Sequence, residues 1–177
     1  VNWNAIDCGE TYRKYQHEKN SIWGPFGDTA SNIVSIKFGS KVEKIPSYLC
    51  CNMSSIVSVI IPDNVVSIGD RTFFGCSVLR NLKISTNLIH VGSESFSHTR
   101  WYDNNSDDII YLGKVLYKYN VENACGKPIY IKDGTVSIAS EAFKGKDKLT
   151  EIYIPDSVTE IERFVFMGCA HLTNVRL

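Results

Sequence analysis

Four histidines and six cysteines are the residues of this 177-residue chain that could carry nucleophilic or metal chemistry. The histidines are His17, His90, His98 and His171, and the cysteines are Cys8, Cys50, Cys51, Cys76, Cys125 and Cys169. Cys169-Ala170-His171 is a C-x-H triplet, yet no second C-x-x-C or H-x-x-x-H completes a four-ligand zinc set. No G-x-S-x-G elbow, Gly-rich phosphate loop or paired acidic motif is present. A thiol and an imidazole act together only when a base sits within hydrogen-bond reach of the sulfur. Cys76 and His98 come near that condition only if they fall on adjacent turns of the fold. A cysteine in such a place is more often a small buried side chain. No catalytic residue, metal ligand or cofactor is therefore assigned, and no enzyme activity is expected.

What must position these residues is a repeat. In Ile56 to Val78 the apolar side chains fall at Ile56, Val59, Ile61, Val65, Ile68 and Phe73, followed by Gly75-Cys76. One frame earlier, 23 residues back, the slots read Ile33, Ile36, Phe38, Val42, Ile45 and Cys50. One frame later they read Leu79, Leu82, Ile84, Leu88, Val91 and Phe96. A self-similar period in this range marks a stacked solenoid whose units cannot bury their apolar faces alone. Alternation across Val59-Ile60-Ile61 predicts a strand. Pro62-Asp63-Asn64 is a turn, Val65 to Ile68 a short second strand, and Arg71 to Gly75 one helical or 3₁₀ turn around a buried Phe73. Cys76 and Cys169 share one slot three repeats apart. At about 4.8 Å per turn they are roughly 14 Å distant, beyond the ~7 Å Cα limit for a disulfide.

Taken in order, residues 1–32 are a partial repeat and an irregular stretch. Val1 to Ala5 reads as a strand end. The loop 6–32, with Tyr12, Tyr15, Trp23 and Phe26 among turn formers, is expected to cap an open core end or to serve as a binding loop. Repeats one to three occupy 33–98. An insertion at 99–125 holds two apolar runs joined by Gly113-Lys114, a β-hairpin expected to protrude from or lie against the solenoid edge. Repeats four and five and the start of a sixth fill 126–177. Thr135 stands in a slot held elsewhere by valine, so either the turn shifts by a residue or a hydroxyl is buried and bonded. Val1 is not an initiator Met and the sixth repeat stops at Leu177, so a longer natural protein is expected. The chain is 44% hydrophobic, enough for a substantial core, and its 19 basic and 19 acidic residues cancel. That balance gives no reason to expect nucleic acid or an anionic membrane as partner. No run of about 18 apolar residues exists to span a bilayer.

The segments IPDNVVSIGDRTFFGCSVL and IPDSVTEIERFVFMGCAHL resemble the BspA-like, treponemal-type leucine-rich repeats. WNAIDC, WYDNNSDDIIYLGKVLYKY and IKDGTVSIASEAF also resemble segments of such proteins. Departures are Cys50 in the Phe slot, and Met53, Thr99 and Lys146 in the Cys slot. The fold expected is thus a β-rich leucine-rich-repeat solenoid of 23-residue repeats, with one inserted hairpin. The resemblance implies an extracellular or bacterial cell-surface module that adheres to a host or neighbouring-cell surface protein, a matrix protein or a glycan. The alternative is a structural spacer within a larger surface protein.

The period itself leaves one row of side chains outside: Lys37, Ile60, Lys83, Tyr130, Tyr153 and Arg176. These are the candidate ligand-binding residues, since Tyr and Arg are enriched where proteins meet. Flanking rows are Ser35, Ser58, Asn81, Pro128, Glu151, Asn174 and Gly39, Pro62, Ser85, Lys132, Pro155. Lys and Tyr also suit an ordinary solvated sheet face. The hairpin and Trp101-Tyr102 are the other candidate surfaces.

Overall fold

The computed structural model describes residue 26 and residues 30–121 and 127–177. The strand end expected at 1–5, most of the loop 6–32, and Cys8 and Cys125 lie outside the described residues. The chain forms two compact units, Val1–Asn105 and Ser106–Leu177.

In the first unit the repeat turns into coils with two parallel strands each. Strands β1 (Ser35–Lys37), β3 (Ser58–Ile60) and β5 (Asn81–Lys83) make one three-stranded sheet, ordered β1-β3-β5. Strands β2 (Lys44–Ile45), β4 (Ser67–Ile68) and β6 (His90–Val91) make a second. The pairing Lys37↔Ile60↔Lys83 follows the 23-residue period without slip. A one-residue slip would turn every core side chain to solvent, so the apolar pattern fixes the register. Ile56, Val59, Ile61, Val65, Ile68 and Phe73 are all buried. Pro62 ends the strand, and Val65 N donates to Pro62 O at 3.0 Å to close the turn.

The third side of each coil carries i→i+3 bonds, such as Phe74 N to Arg71 O at 3.2 Å and Cys76 N to Phe73 O at 3.1 Å. Arg71 (φ 50°) and Gly75 (φ 71°) interrupt them in the left-handed region, so no helix propagates. Phe73 stacks on Phe96 at 5.3 Å between ring centroids and meets Phe38 edge-on. The four-residue helix α1 (Arg100–Asp103) closes this column. Thr99 caps it by accepting from Tyr102 N, and the Trp101 ring lies 5.4 Å from Phe96.

The second unit opens with the expected hairpin, β7 (Ile109–Leu112) and β8 (Val115–Tyr119), antiparallel with a bulge between Ile110 and Tyr111. Gly113 has φ 62° at the first of the two turn positions, where a type II′ turn calls for glycine. The hairpin does not protrude. Its second strand pairs in parallel with β10 (Ser137–Ile138), which pairs with β12 (Glu160–Ile161). Its register, Ser137↔Val115 and Ile138↔Leu116, is one residue short of the repeat. Leu116 therefore fills the second-strand core slot, and Tyr119 stacks on Phe143 at 5.2 Å in the place of the repeat phenylalanine. The inserted segment thus supplies a contracted coil of the solenoid, with core residues earlier than Ile129, where the strict period resumes. The outer sheet of this unit is β13 (Asn174–Arg176), β11 (Glu151–Tyr153) and β9 (Ile129–Tyr130), in that order.

Thr135 resolves its two alternatives. The turn bond Thr135 N to Lys132 O is kept at 3.2 Å, and the buried hydroxyl donates to the same carbonyl at 2.6 Å.

Candidate recognition surface

The outward row falls on two sheets, one per unit. In the first unit Lys37, Ile60 and Lys83 are neighbours in register. Lys37 and Lys83 are exposed and Ile60 half-buried. In the second unit Tyr130 pairs with Tyr153, and Tyr153 with Arg176. The tyrosine rings stack with centroids 4.5 Å apart at 14°. The Arg176 guanidinium sits over Tyr153, 5.2 Å from the ring centre, and its Nε donates to Glu151 Oε1 at 3.2 Å. The Tyr153 phenol is pushed above its usual range, first by its hydrogen bond to the Glu151 carboxylate and then by burial. Glu151, two residues before Tyr153 on the same strand face, therefore holds the guanidinium and acts on the phenol. Tyr130 remains 65% exposed.

Among the flanking rows, Ser85 does not face outward. The buried Ser85 hydroxyl donates to Val65 O at 2.7 Å while accepting from Asn87 N. Asp63, in the turn one coil earlier, accepts from the Thr86 amide and hydroxyl, which holds its carboxyl below the usual range. Trp101 belongs to the packed aromatic column, so it is a core cover in place of a free contact residue. On the hairpin, Tyr111 uses its hydroxyl to accept from Lys132 N at 3.1 Å, and burial raises its phenol.

The residues that could do chemistry bond to backbone and rings. Cys76 Sγ donates to Cys50 O, and Cys169 Sγ to Phe143 O, both at 3.1 Å. In each case the acceptor is the Phe-slot carbonyl of the preceding coil. Burial pushes the Cys76 thiol up to about 12 and raises that of Cys169 as well. His98 packs edge-on against Phe74 at 4.9 Å, not on Cys76. His171 Nδ1 lies 2.7 Å from Asp147 O. His90 is half-buried on β6 beside the core Val91. Cys50, Cys51, Cys76 and Cys169 are all thiols. The described residues also line an apolar cavity of about 340 Å³ at the first coil, formed by Phe26, Ile33, Ile36, Phe38, Val42 and Leu49 together with Lys37.

The sequence matches the family model described as "BspA type Leucine rich repeat region" in six copies, over residues 26–121 and 114–177. The chain belongs to this family. The second matched region starts at Lys114, the turn of the hairpin, in agreement with β8 serving as a coil. A comparison with curated proteins returned no match. Among solved structures, the chain is similar to the T. pallidum leucine-rich repeat protein (20% identity, TM-score 0.43), over 81% of this chain and 58% of that one. It is similar to a leucine-rich repeat protein from Bacteroides ovatus (22% identity, TM-score 0.45), over 88% and 40% respectively. A leucine-rich cell surface protein from Faecalibacterium prausnitzii shares 27% identity with a TM-score of 0.37, over 81% and 32%. The chain thus spans between 32% and 58% of the length of these structures. No helix among the described residues is long and apolar enough to cross a membrane.

Proposed function

We propose that this chain is a non-catalytic recognition module of a cell-surface protein, binding a protein or glycan ligand through the outer strand faces of its coils. The observation that carries the reading is the Tyr130–Tyr153–Arg176 row, with Tyr130 and Arg176 exposed and Tyr153 half-buried between them, held in place by stacking and by the Arg176–Glu151 pair. Rigid aromatic and arginine side chains lose little freedom on binding, which is why such residues dominate interface energetics. Family membership supports a repeat module. Lys37, Ile60 and Lys83 form the matching row of the first unit. They lack ring stacking, and Lys37 and Lys83 are ordinary solvated lysines on a sheet face. That plainness favours a spacer role for the first unit, as the second reading.

The test is a triple substitution, Lys83→Ala with Tyr130→Ala and Tyr153→Ala, assayed against a ligand recovered by pull-down from a candidate host or neighbouring cell. Loss of affinity with an unchanged circular-dichroism spectrum supports the strand face. Unchanged affinity with an intact fold moves the site to the hairpin, and failure of the wild-type chain to bind anything favours the spacer.

A further inference from the structure

We draw no further inference here: the strongest candidate, the apolar cavity at the first coil along the outer edge of β1, carries none, because nothing among the described residues shows what covers it.

Discussion

The two units are built from one repeat yet solve the corner after the second strand differently. In the first unit that corner is Pro46, Gly69 and Gly92, and it is laced by polar side chains. Asp70 N donates to Ser47 Oγ at 3.0 Å and Ser93 N to Asp70 Oδ1 at 2.8 Å. On the inner side, Thr72 Oγ1 donates toward Pro46 O and Gly69 O, and Ser95 Oγ toward Gly69 O and Gly92 O. In the second unit the same corner positions are Ala139 and Glu162, and the inner positions are the buried Ala142 and Val165. One half draws its coils together through backbone contact and hydroxyls, the other through alkyl groups against β8. The core slots are common to both, so the fold tolerates either corner, but the residues are not exchangeable.

Gly92→Ala is expected to have the largest effect. A Cβ there would overlap the Asp70 amide nitrogen and lie 2.5 Å from Gly69 C. These are backbone atoms that cannot swing aside, so a loss of about 3 kcal/mol is expected. Gly69→Ala meets Ser47 Cα at 2.7 Å and is expected to behave alike. Ala139→Gly, at the equivalent place in the second unit, removes only a methyl group and some backbone stiffness, about 1 kcal/mol. Urea unfolding midpoints of the three variants measure the contrast. Equal losses would mean that the two corners are packed alike.

The Cys slot gives the next contrast. Cys76 is fully buried, while Cys169 is half-buried in the same slot of the second unit. Iodoacetamide at mildly alkaline pH is expected to label Cys169 well before Cys76, as read by peptide mass spectrometry. The raised Cys76 value also sets a pH dependence. Its thiol ordinarily ionises near 9.0, but in the fold only at about 12. Between those values the unfolded chain has lost the proton and the folded chain still holds it. The stabilisation is therefore complete below pH 9 and is lost as pH climbs toward 12, with a slope of at most about 1.4 kcal/mol per pH unit. Cys76→Ala is expected to flatten that part of the stability profile.

Ser95→Ala has a smaller expected effect. Its hydroxyl is buried and lies within 2.7 Å of Gly69 O and 2.6 Å of Gly92 O. Removing it takes a donor from both carbonyls, Gly69 O keeping the Thr72 hydroxyl, at about 1 kcal/mol. Ala142→Ser in the second unit meets the Ala139 carbonyl three residues back, the acceptor that Thr72 and Ser95 use in the first unit, and is expected to be near neutral.

How far the sequence carried this structure can be followed residue by residue. The slots Val59, Ile61, Val65, Ile68 and Phe73 were readable because burial on one face of a 23-residue coil leaves a strict apolar period. The hairpin was readable from Gly113-Lys114 between apolar runs. Its role as a coil was not, because the β8 register is one residue short and tyrosine stands for phenylalanine, so the period breaks where the stack continues. The outward row was readable from strand alternation. The grouping of Glu151 with Tyr153 and Arg176 was not, since it depends on a phenol and a guanidinium brought together from strands 23 residues apart. Ser85 was misplaced because alternation was carried one step beyond the strand, where a hydroxyl found a carbonyl. Glu151 could have been noticed as the one acid among the strand rows, beside Tyr153 and diagonal to Arg176 in the next repeat.

Backbone strain gives the finest comparison. Arg71 and Phe164 occupy the same coil position with φ 50° and 59°. A non-glycine residue in the left-handed region is disfavoured by about 1–2 kcal/mol, of which glycine's extra freedom in the unfolded chain takes back roughly 0.5–1. Phe164 is 59% exposed. Phe164→Gly is accordingly expected to stabilise the protein by about 0.5–1 kcal/mol. Arg71 is tied down: its Nε donates to Glu94 Oε2 at 2.6 Å and its guanidinium lies over the Phe74 ring at 5.2 Å. Arg71→Gly gains the same relief but forfeits a partly exposed ion pair and a ring contact, each worth about 0.5 kcal/mol, so its net effect is expected to be near zero. The difference between the two melting shifts measures what the Arg71–Glu94 tie contributes. If Arg71→Gly stabilises as much as Phe164→Gly, that tie contributes nothing, and the first unit tolerates its strained corner for the same reason as the second, through the buried column behind it.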